Sequence, residues 1–152
     1  CTADAVRRTK AAGLDTGVHL ILGLPGETEA MMLETVDFIN SLPVDTVKFH
    51  QLQVIKGTRL AAGIAAGRIS YTPPTVDEYV DLCAKIVRRL RRDIAIERFV
   101  SQSPSELLIA PRWGLKNYQF TAILNKRLDA EFLHKICSRD MPKRPPGSAG
   151  MY

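Results

Sequence analysis

The chain has 152 residues, of which 45% are hydrophobic and 24% are charged, and this composition excludes an intrinsically disordered protein. Its formal net charge of +5 permits contact with nucleic acid but does not require it. No apolar run reaches the ~18 residues of a membrane span, so we expect no membrane partner.

The first half of the chain alternates helix and strand signals. Residues 4–12 predict a helix, and residues 16–22 form a short apolar run typical of a parallel strand. Thr28 then begins a helix with an apolar face at helical spacing, made by Met32, Val36 and Ile39. Residues 46–54 predict a second strand, and a short helix follows with Leu60 and Ile64.

The second half continues this alternation. Thr75 and Glu78 have the spacing of a capping box, which predicts a long helix ending near Arg92. Residues 94–99 predict a third strand, and residues 103–115 predict a loop. A last helix follows, with apolar residues Phe120, Ile123, Leu124 and Phe132.

Strands and helices in alternation predict an α/β fold of consecutive parallel βα units. Ligands of such folds bind at the carboxyl ends of the strands. We therefore expect the loops over residues 23–28 and 53–58 to lie on the functional edge of the sheet.

The loop after the first strand contains Gly23, Pro25 and Gly26. Its two glycines let the backbone turn sharply and approach a ligand closely. The helix that follows directs N–H groups toward the strand end, where an anion can bind. The alternative is an ordinary turn with a helix cap, and the Gly-Lys-Thr ending of a phosphate-binding loop is absent.

The first two strands carry polar residues at alternate positions. If the apolar residues face the helices, His19, Lys48 and His50 all face the opposite side of the sheet. A lysine within a strand is costly to bury without a partner, so this pattern indicates a ligand cavity. The alternative is a sheet with one solvated face.

Other charged and aromatic residues are weaker candidates. Arg98 and Lys116 are candidates for substrate binding, although a structural ion pair explains Arg98 equally well. Trp113 is interpreted as a packing anchor in preference to a stacking platform. The basic cluster at residues 85–92 favours a solvated helix face, and the alternative is a surface that binds an RNA backbone.

The three cysteines, Cys1, Cys83 and Cys137, are too far apart in sequence to form a local metal or cluster motif. We therefore expect no metal ligands and no cluster on this chain alone. An odd and sparse cysteine count is typical of the reducing cytosol, which predicts a cytoplasmic location.

Several segments occur in the order found in radical S-adenosylmethionine (SAM) enzymes. Residues 19–28 resemble the fifth barrel strand and its loop, and residues 47–58 resemble the sixth strand. The series then continues with Gly67, residues 75–79 and 96–99, and a signature over residues 108–116. Together these segments resemble the Elongator-catalytic-subunit-like radical SAM proteins, and in particular their YhcC group.

The resemblance implies a partial (βα)6 barrel whose N-terminal half, including the cluster cysteines, would be a missing partner of this chain. It assigns residues 1–72 to the last strand–helix units and residues 73–137 to a C-terminal extension. Residues 138–152 are rich in Pro, Gly, Ser, Lys and Arg, and this composition predicts a disordered tail. The unpaired edge of the first strand also predicts self-association.

The full-length enzyme would use SAM and a [4Fe–4S] cluster to form a 5′-deoxyadenosyl radical, with RNA as one candidate substrate. The resemblance implies that His19 and neighbouring residues of the fifth and sixth strands contact SAM or substrate. The chain alone would be inactive, and its catalytic residues are not identified. The alternative is a small non-catalytic α/β module that binds RNA or protein.

Overall fold

The structure is a computed structural model that describes residues 2–128. The predicted tail from residue 138 and Phe132 lie outside the described residues. In chain order the elements are α1 (Thr2–Ala11), β1 (Gly17–Leu22), α2 (Glu29–Asn40), β2 (Thr46–Gln51), β3 (Val54–Ile55), α3 (Arg59–Ala65), α4 (Val76–Arg89), β4 (Ala95–Arg98), β5 (Leu108–Ala110) and α5 (Asn117–Arg127).

A three-stranded parallel sheet in the order β1-β2-β4 organises the fold. The helices connect successive strands, because two parallel strands cannot be joined by a tight hairpin. The prediction of an α/β fold with consecutive parallel βα units is therefore confirmed. The pairing of β1 with β2 requires glycine at position 17, because a Cβ there would lie 2.6 Å from Oγ1 of Thr46 on the neighbouring strand.

One side of the sheet is covered and forms the core. Val47 and Phe49 of β2 and Ile96 of β4 are buried there. They pack with buried residues of the helices, which include Val36, Ile39, Val80, Val87, Phe120 and Leu124. We call the other side of the sheet the open face, because it carries the half-buried and exposed side chains of β1 and β2.

Two predictions of secondary structure were wrong in the same place. The run 46–54 was predicted as one strand, but β2 ends at Gln51 and β3 is a separate strand of two residues. The predicted loop 103–115 contains β5, which pairs antiparallel with β3. This pairing joins segments about fifty residues apart, so no local sequence pattern indicates it.

The long helix is confirmed with one difference at its end. Thr75 and Glu78 form the predicted capping box, in which each side chain accepts the other residue's backbone N–H. The helix ends at Arg89 rather than near Arg92, because Leu90 adopts an extended conformation. Within residues 2–128, none of the helices has the length and apolar character needed to cross a bilayer.

Thr28→Ala should lower the free energy of unfolding by about 1 kcal/mol, because the Thr28 side chain caps α2 by accepting the N–H of Met31. Urea denaturation measures the change. Thr72→Ala is the matched control, since Thr72 is exposed and lies outside any helix. Equal losses in the two variants would contradict the assignment of the cap.

Candidate ligand-binding site

The open face brings together polar side chains from two neighbouring strands. β1 and β2 pair in register, with His19 beside Lys48 and Ile21 beside His50. Val18 and Leu20 pack against the core on the other side of the sheet. His19, Lys48 and His50 therefore share one face, as the alternation in the sequence predicts.

The two histidines are close neighbours. The centroids of the His19 and His50 rings lie 5.2 Å apart, with an angle of 36° between the ring planes. Burial lowers the pKa of His50 below its usual 6.5, and the nearby His19, Arg98 and Lys48 lower it further. Both effects favour the neutral form of the His50 imidazole.

A cavity of about 400 Å³ opens at these histidines, at the carboxyl ends of β1 and β2. We call it the histidine cavity, and it is lined by His19, Ile21, His50, Gln51, Leu52, Gln53 and Ser101. Ile21 is 52% exposed. The wall of the cavity therefore includes apolar surface that is open to solvent. A cavity of this size with a few polar groups suits a small molecule or part of a larger one.

A set of hydrogen bonds joins the end of β2 to the segment after β4. The Gln51 amide donates to the Ser101 carbonyl at 2.9 Å and accepts the Ser101 N–H at 2.8 Å. Gln53 donates to the same carbonyl and accepts the hydroxyl of Ser103. The hydroxyl of Ser101 is also hydrogen-bonded to Nδ1 of His50.

Sequence reasoning missed Gln51 and Ser101, and it included Gln53 only as the first residue of the loop over residues 53–58. A usable signal was present, because polar residues follow directly after the apolar parts of β2 and β4. The carboxyl ends of adjacent parallel strands lie side by side, so such residues are expected to meet.

Lys48 does not line the histidine cavity. Its ammonium group forms an ion pair with Glu97 at 2.9 Å, and both side chains are partly buried. The pair is possible because a bulge in the β2–β4 pairing places Glu97 and Arg98 together opposite Lys48. The structure thus unites His19 with His50 in one cavity and leaves Lys48 on the same face with a carboxylate partner.

The loop over residues 23–28 is held by its own carboxylate. Gly23 and Gly26 have φ angles of +81° and +80°, which favour glycine. The Glu27 side chain accepts the N–H groups of Gly23 and Leu24 at 2.8 and 2.9 Å. Gly23 and Gly26 line a second cavity of about 290 Å³ against α4, whereas Pro25 is exposed and does not line it.

Arg98 and Lys116 do not line the histidine cavity, and both are exposed. Arg98 lines a polar depression of about 380 Å³ together with Gln102 and Asn117. Lys116 lies at the start of α5 and donates its backbone N–H to Gln119. A role for either residue in substrate binding stays a prediction.

Most positive charges of the basic cluster at residues 85–92 are paired with carboxylates. Lys85 bonds to Glu29, Arg89 to Asp37, and Arg91 to Asp93. Among residues 2–128, Arg88 and Arg92 form no ion pair and are exposed. This pairing favours the interpretation of a solvated helix face over a surface that binds an RNA backbone.

Trp113 is a packing residue. Its indole N–H donates to the carbonyl of Pro74, and its ring stacks on Phe120 at 6.4 Å and contacts Tyr79 at 5.1 Å. These contacts agree with the interpretation of Trp113 as an anchor.

The described residues do not fit an iron–sulfur cluster or another metal centre. Across residues 2–128, no group of three His, Cys, Asp or Glu side chains is placed to hold a metal ion. Cys83 is buried, and burial raises the pKa of its thiol, which disfavours the thiolate that a cluster requires. Cys1 and Cys137 lie outside the described residues. Iron analysis of the chain after reconstitution therefore tests the expectation that it binds no cluster.

Comparison with known proteins identifies the family. Residues 44–130 match the model described as the radical SAM C-terminal domain. That match covers more than half of the chain, so the chain belongs to the radical SAM C-terminal domain family.

Individual relatives agree with this assignment. The chain is 28% identical to the uncharacterized protein YtqA of Bacillus subtilis over 129 residues, which are 85% of this chain and 39% of YtqA. It is also 28% identical to protein YhcC of Escherichia coli over 113 residues, which are 74% of this chain and 36% of YhcC. The chain therefore spans well under half the length of these relatives.

A solved structure supports the fold. The archaeal Elp3 of Methanocaldococcus infernus, with an N-terminal deletion, superposes with a TM-score of 0.68 at 21% sequence identity. The match covers 84% of this chain and 31% of the Elp3 chain. The parallel βα units of this chain thus correspond to part of a radical SAM fold, which confirms the predicted fold class.

Proposed function

We propose that the chain is the C-terminal part of a radical SAM enzyme and that its histidine cavity contacts SAM or the substrate in the full-length protein. Membership of the family and the greater length of the relatives support the proposal. The observation that carries it is the cavity itself, where His19 and His50 meet at the carboxyl edge of a parallel sheet. That edge is where ligands of such folds bind.

In the full-length enzyme, SAM and a [4Fe–4S] cluster would supply the radical chemistry. The cluster would be held outside residues 2–128, since their donor groups do not fit it. The chain alone would then be inactive. The division into barrel units over residues 1–72 and an extension over residues 73–137 belongs to the same proposal, as does a cytoplasmic location.

The residues of this chain have distinct roles in the proposal. His19 and His50 hydrogen-bond polar atoms of the bound molecule, and His50 does so as a neutral group. The Lys48–Glu97 ion pair lies next to them on the open face, outside the lining of the cavity, and its two charges offset each other. Glu27 keeps the loop with Gly23 and Gly26 rigid, so that its backbone can lie against a ligand.

RNA is the substrate class to test first, because the chain carries a net charge of +5. The ion pairs on α4 count against a simple RNA-binding module, since Lys85 and Arg89 are already engaged by carboxylates. Gel-shift titration of the full-length protein with RNA at two salt concentrations separates specific from purely electrostatic binding.

His19→Ala and His50→Ala in the full-length protein should each weaken SAM or substrate binding roughly 3- to 10-fold, the effect of one lost hydrogen bond. Equilibrium binding of SAM to the reconstituted protein and formation of 5′-deoxyadenosine are the two measurements. The control is Arg88→Ala, an exposed residue on α4 away from the cavity.

Unchanged binding and turnover in both histidine variants would contradict the assignment of the cavity. Absence of 5′-deoxyadenosine from the unaltered, reconstituted full-length protein would contradict the proposed function as a whole. Loss of turnover with unchanged SAM binding would assign the cavity to the substrate.

A further inference from the structure

His50 has an unusual hydrogen-bonding environment for a partly buried ring. Nδ1 is hydrogen-bonded to the hydroxyl of Ser101, while Nε2 is buried and lacks a partner within residues 2–128. Buried polar atoms are nearly always hydrogen-bonded, so an unpaired ring nitrogen beside a cavity indicates a missing ligand atom. The proton on the ring decides whether that ligand must accept or donate.

The position of Ser101 is fixed independently of its side chain. Gln51 pairs with both the N–H and the carbonyl of Ser101, and Gln53 adds a second donor to that carbonyl. The carbonyl of Ser101 therefore has two amide partners. Because these bonds involve only backbone atoms of Ser101, its hydroxyl remains available to His50. The same bonds hold the hydroxyl next to the ring.

Counting donors and acceptors selects one tautomer. If the Ser101 hydroxyl donates to Nδ1, its proton is satisfied and Nε2 carries the ring proton. If Nδ1 donates instead, the Nε2 lone pair lacks a partner among the described residues, and the hydroxyl proton of the half-buried Ser101 is no longer used by the ring. The first arrangement uses both the hydroxyl proton and the Nδ1 lone pair, so it is favoured.

The charges around His50 favour the neutral ring. His19 faces it from β1, Lys48 lies on the same strand, and Arg98 lies on the neighbouring strand β4 opposite Lys48. The carboxylate of Glu97, also on β4, is engaged by Lys48. Burial first, and then these neighbours, lower the pKa of His50 and so oppose a second proton on its ring.

We propose that Ser101 is a positioning residue that holds His50 as the tautomer protonated on Nε2, so that His50 donates a hydrogen bond to the molecule in the histidine cavity. The matching ligand atom is an acceptor, namely a carbonyl or carboxylate oxygen or an unprotonated ring nitrogen. The inference rests on the proposed function only for the identity of that molecule. Ser101 itself does not act on the ligand.

Long-range ¹H–¹⁵N NMR of the ¹⁵N-labelled 152-residue chain tests the tautomer directly. His50→Gln assigns the His50 signals by removing them. The expected spectrum at pH 7.5 shows Nε2 protonated and Nδ1 unprotonated. Ser101→Ala should shift the ratio of tautomers roughly 2- to 10-fold toward Nδ1–H, the effect of one lost hydrogen bond. Ser101→Thr, which keeps the hydroxyl, should restore the original ratio.

Two results would overturn the proposal: a wild-type His50 with its proton on Nδ1, or a Ser101→Ala spectrum identical to wild type. If Ser101→Ala fails to fold, Ser101→Cys replaces it, because a thiol is a much weaker donor. The NMR result does not depend on SAM. A confirmed tautomer together with unaffected SAM and substrate binding in His50→Ala would therefore contradict the proposed role of the cavity in ligand binding and leave the effect of Ser101 on the His50 tautomer intact.

Discussion

Phe49→Ala is expected to lower the free energy of unfolding by about 3–5 kcal/mol, the range measured for truncating a buried phenylalanine. Phe49 is fully buried on the helix side of β2. Its ring stacks on Phe99 at a centroid distance of 5.9 Å, and Phe99 in turn contacts Phe120 of α5 at 6.1 Å. The truncation thus leaves a cavity at the point where the sheet contacts α5.

Phe38→Ala is the matched control, because Phe38 lies on α2 with 49% of its surface exposed. Its loss should stay within about 0.5 kcal/mol. Both variants are compared by urea denaturation with the slope of the transition recorded, since a changed slope indicates a change in the unfolded state. Similar losses in the two variants would mean that β2 presents its other face to the helices.

The face of each strand was predictable from the sequence because side chains alternate along a strand. Val47 and Phe49 are apolar while Lys48 and His50 are polar, so one phase buries the apolar pair and the other would bury charge. The capping box of α4 was also readable, because both of its residues lie within one turn. These features depend on neighbours in sequence.

The pairing of β3 with β5 was not predictable in this way. Each strand has two or three residues and no clear alternation, and the partners are far apart in the chain. Such short strands form because the surrounding fold brings them together. The prediction of a loop followed the local composition, and tertiary structure overrode it.

The candidate site was predictable in part. Alternation placed His19 and His50 on one face, but the partner of Lys48 depends on a bulge in β4 that no residue pattern announces. Ser101 lies in a segment with no regular structure, and its role follows from hydrogen bonds to residues about fifty positions earlier. Those contacts form only when β2 and β4 pair in the observed register, which the sequence alone does not reveal.

Gln51→Ala should lower the free energy of unfolding by about 1–3 kcal/mol, because it leaves the Ser101 N–H without its partner. Gln51 is only 6% exposed, so water cannot readily replace the lost amide. The Ser101 carbonyl keeps its bond from Gln53, which limits the loss. Urea denaturation measures the change, with the exposed Gln102 replaced by alanine as the control.

The same substitution should also disturb the site, because Gln51 anchors the backbone that carries the Ser101 hydroxyl to His50. Gln51→Ala should therefore change the ratio of His50 tautomers as well as stability, whereas Ser101→Ala should change the tautomers with a smaller loss of stability, since its backbone bonds remain. NMR and denaturation on the same samples separate the two effects. A Gln51→Ala chain with wild-type stability and an unchanged His50 spectrum would show that the segment after β4 is held by other contacts.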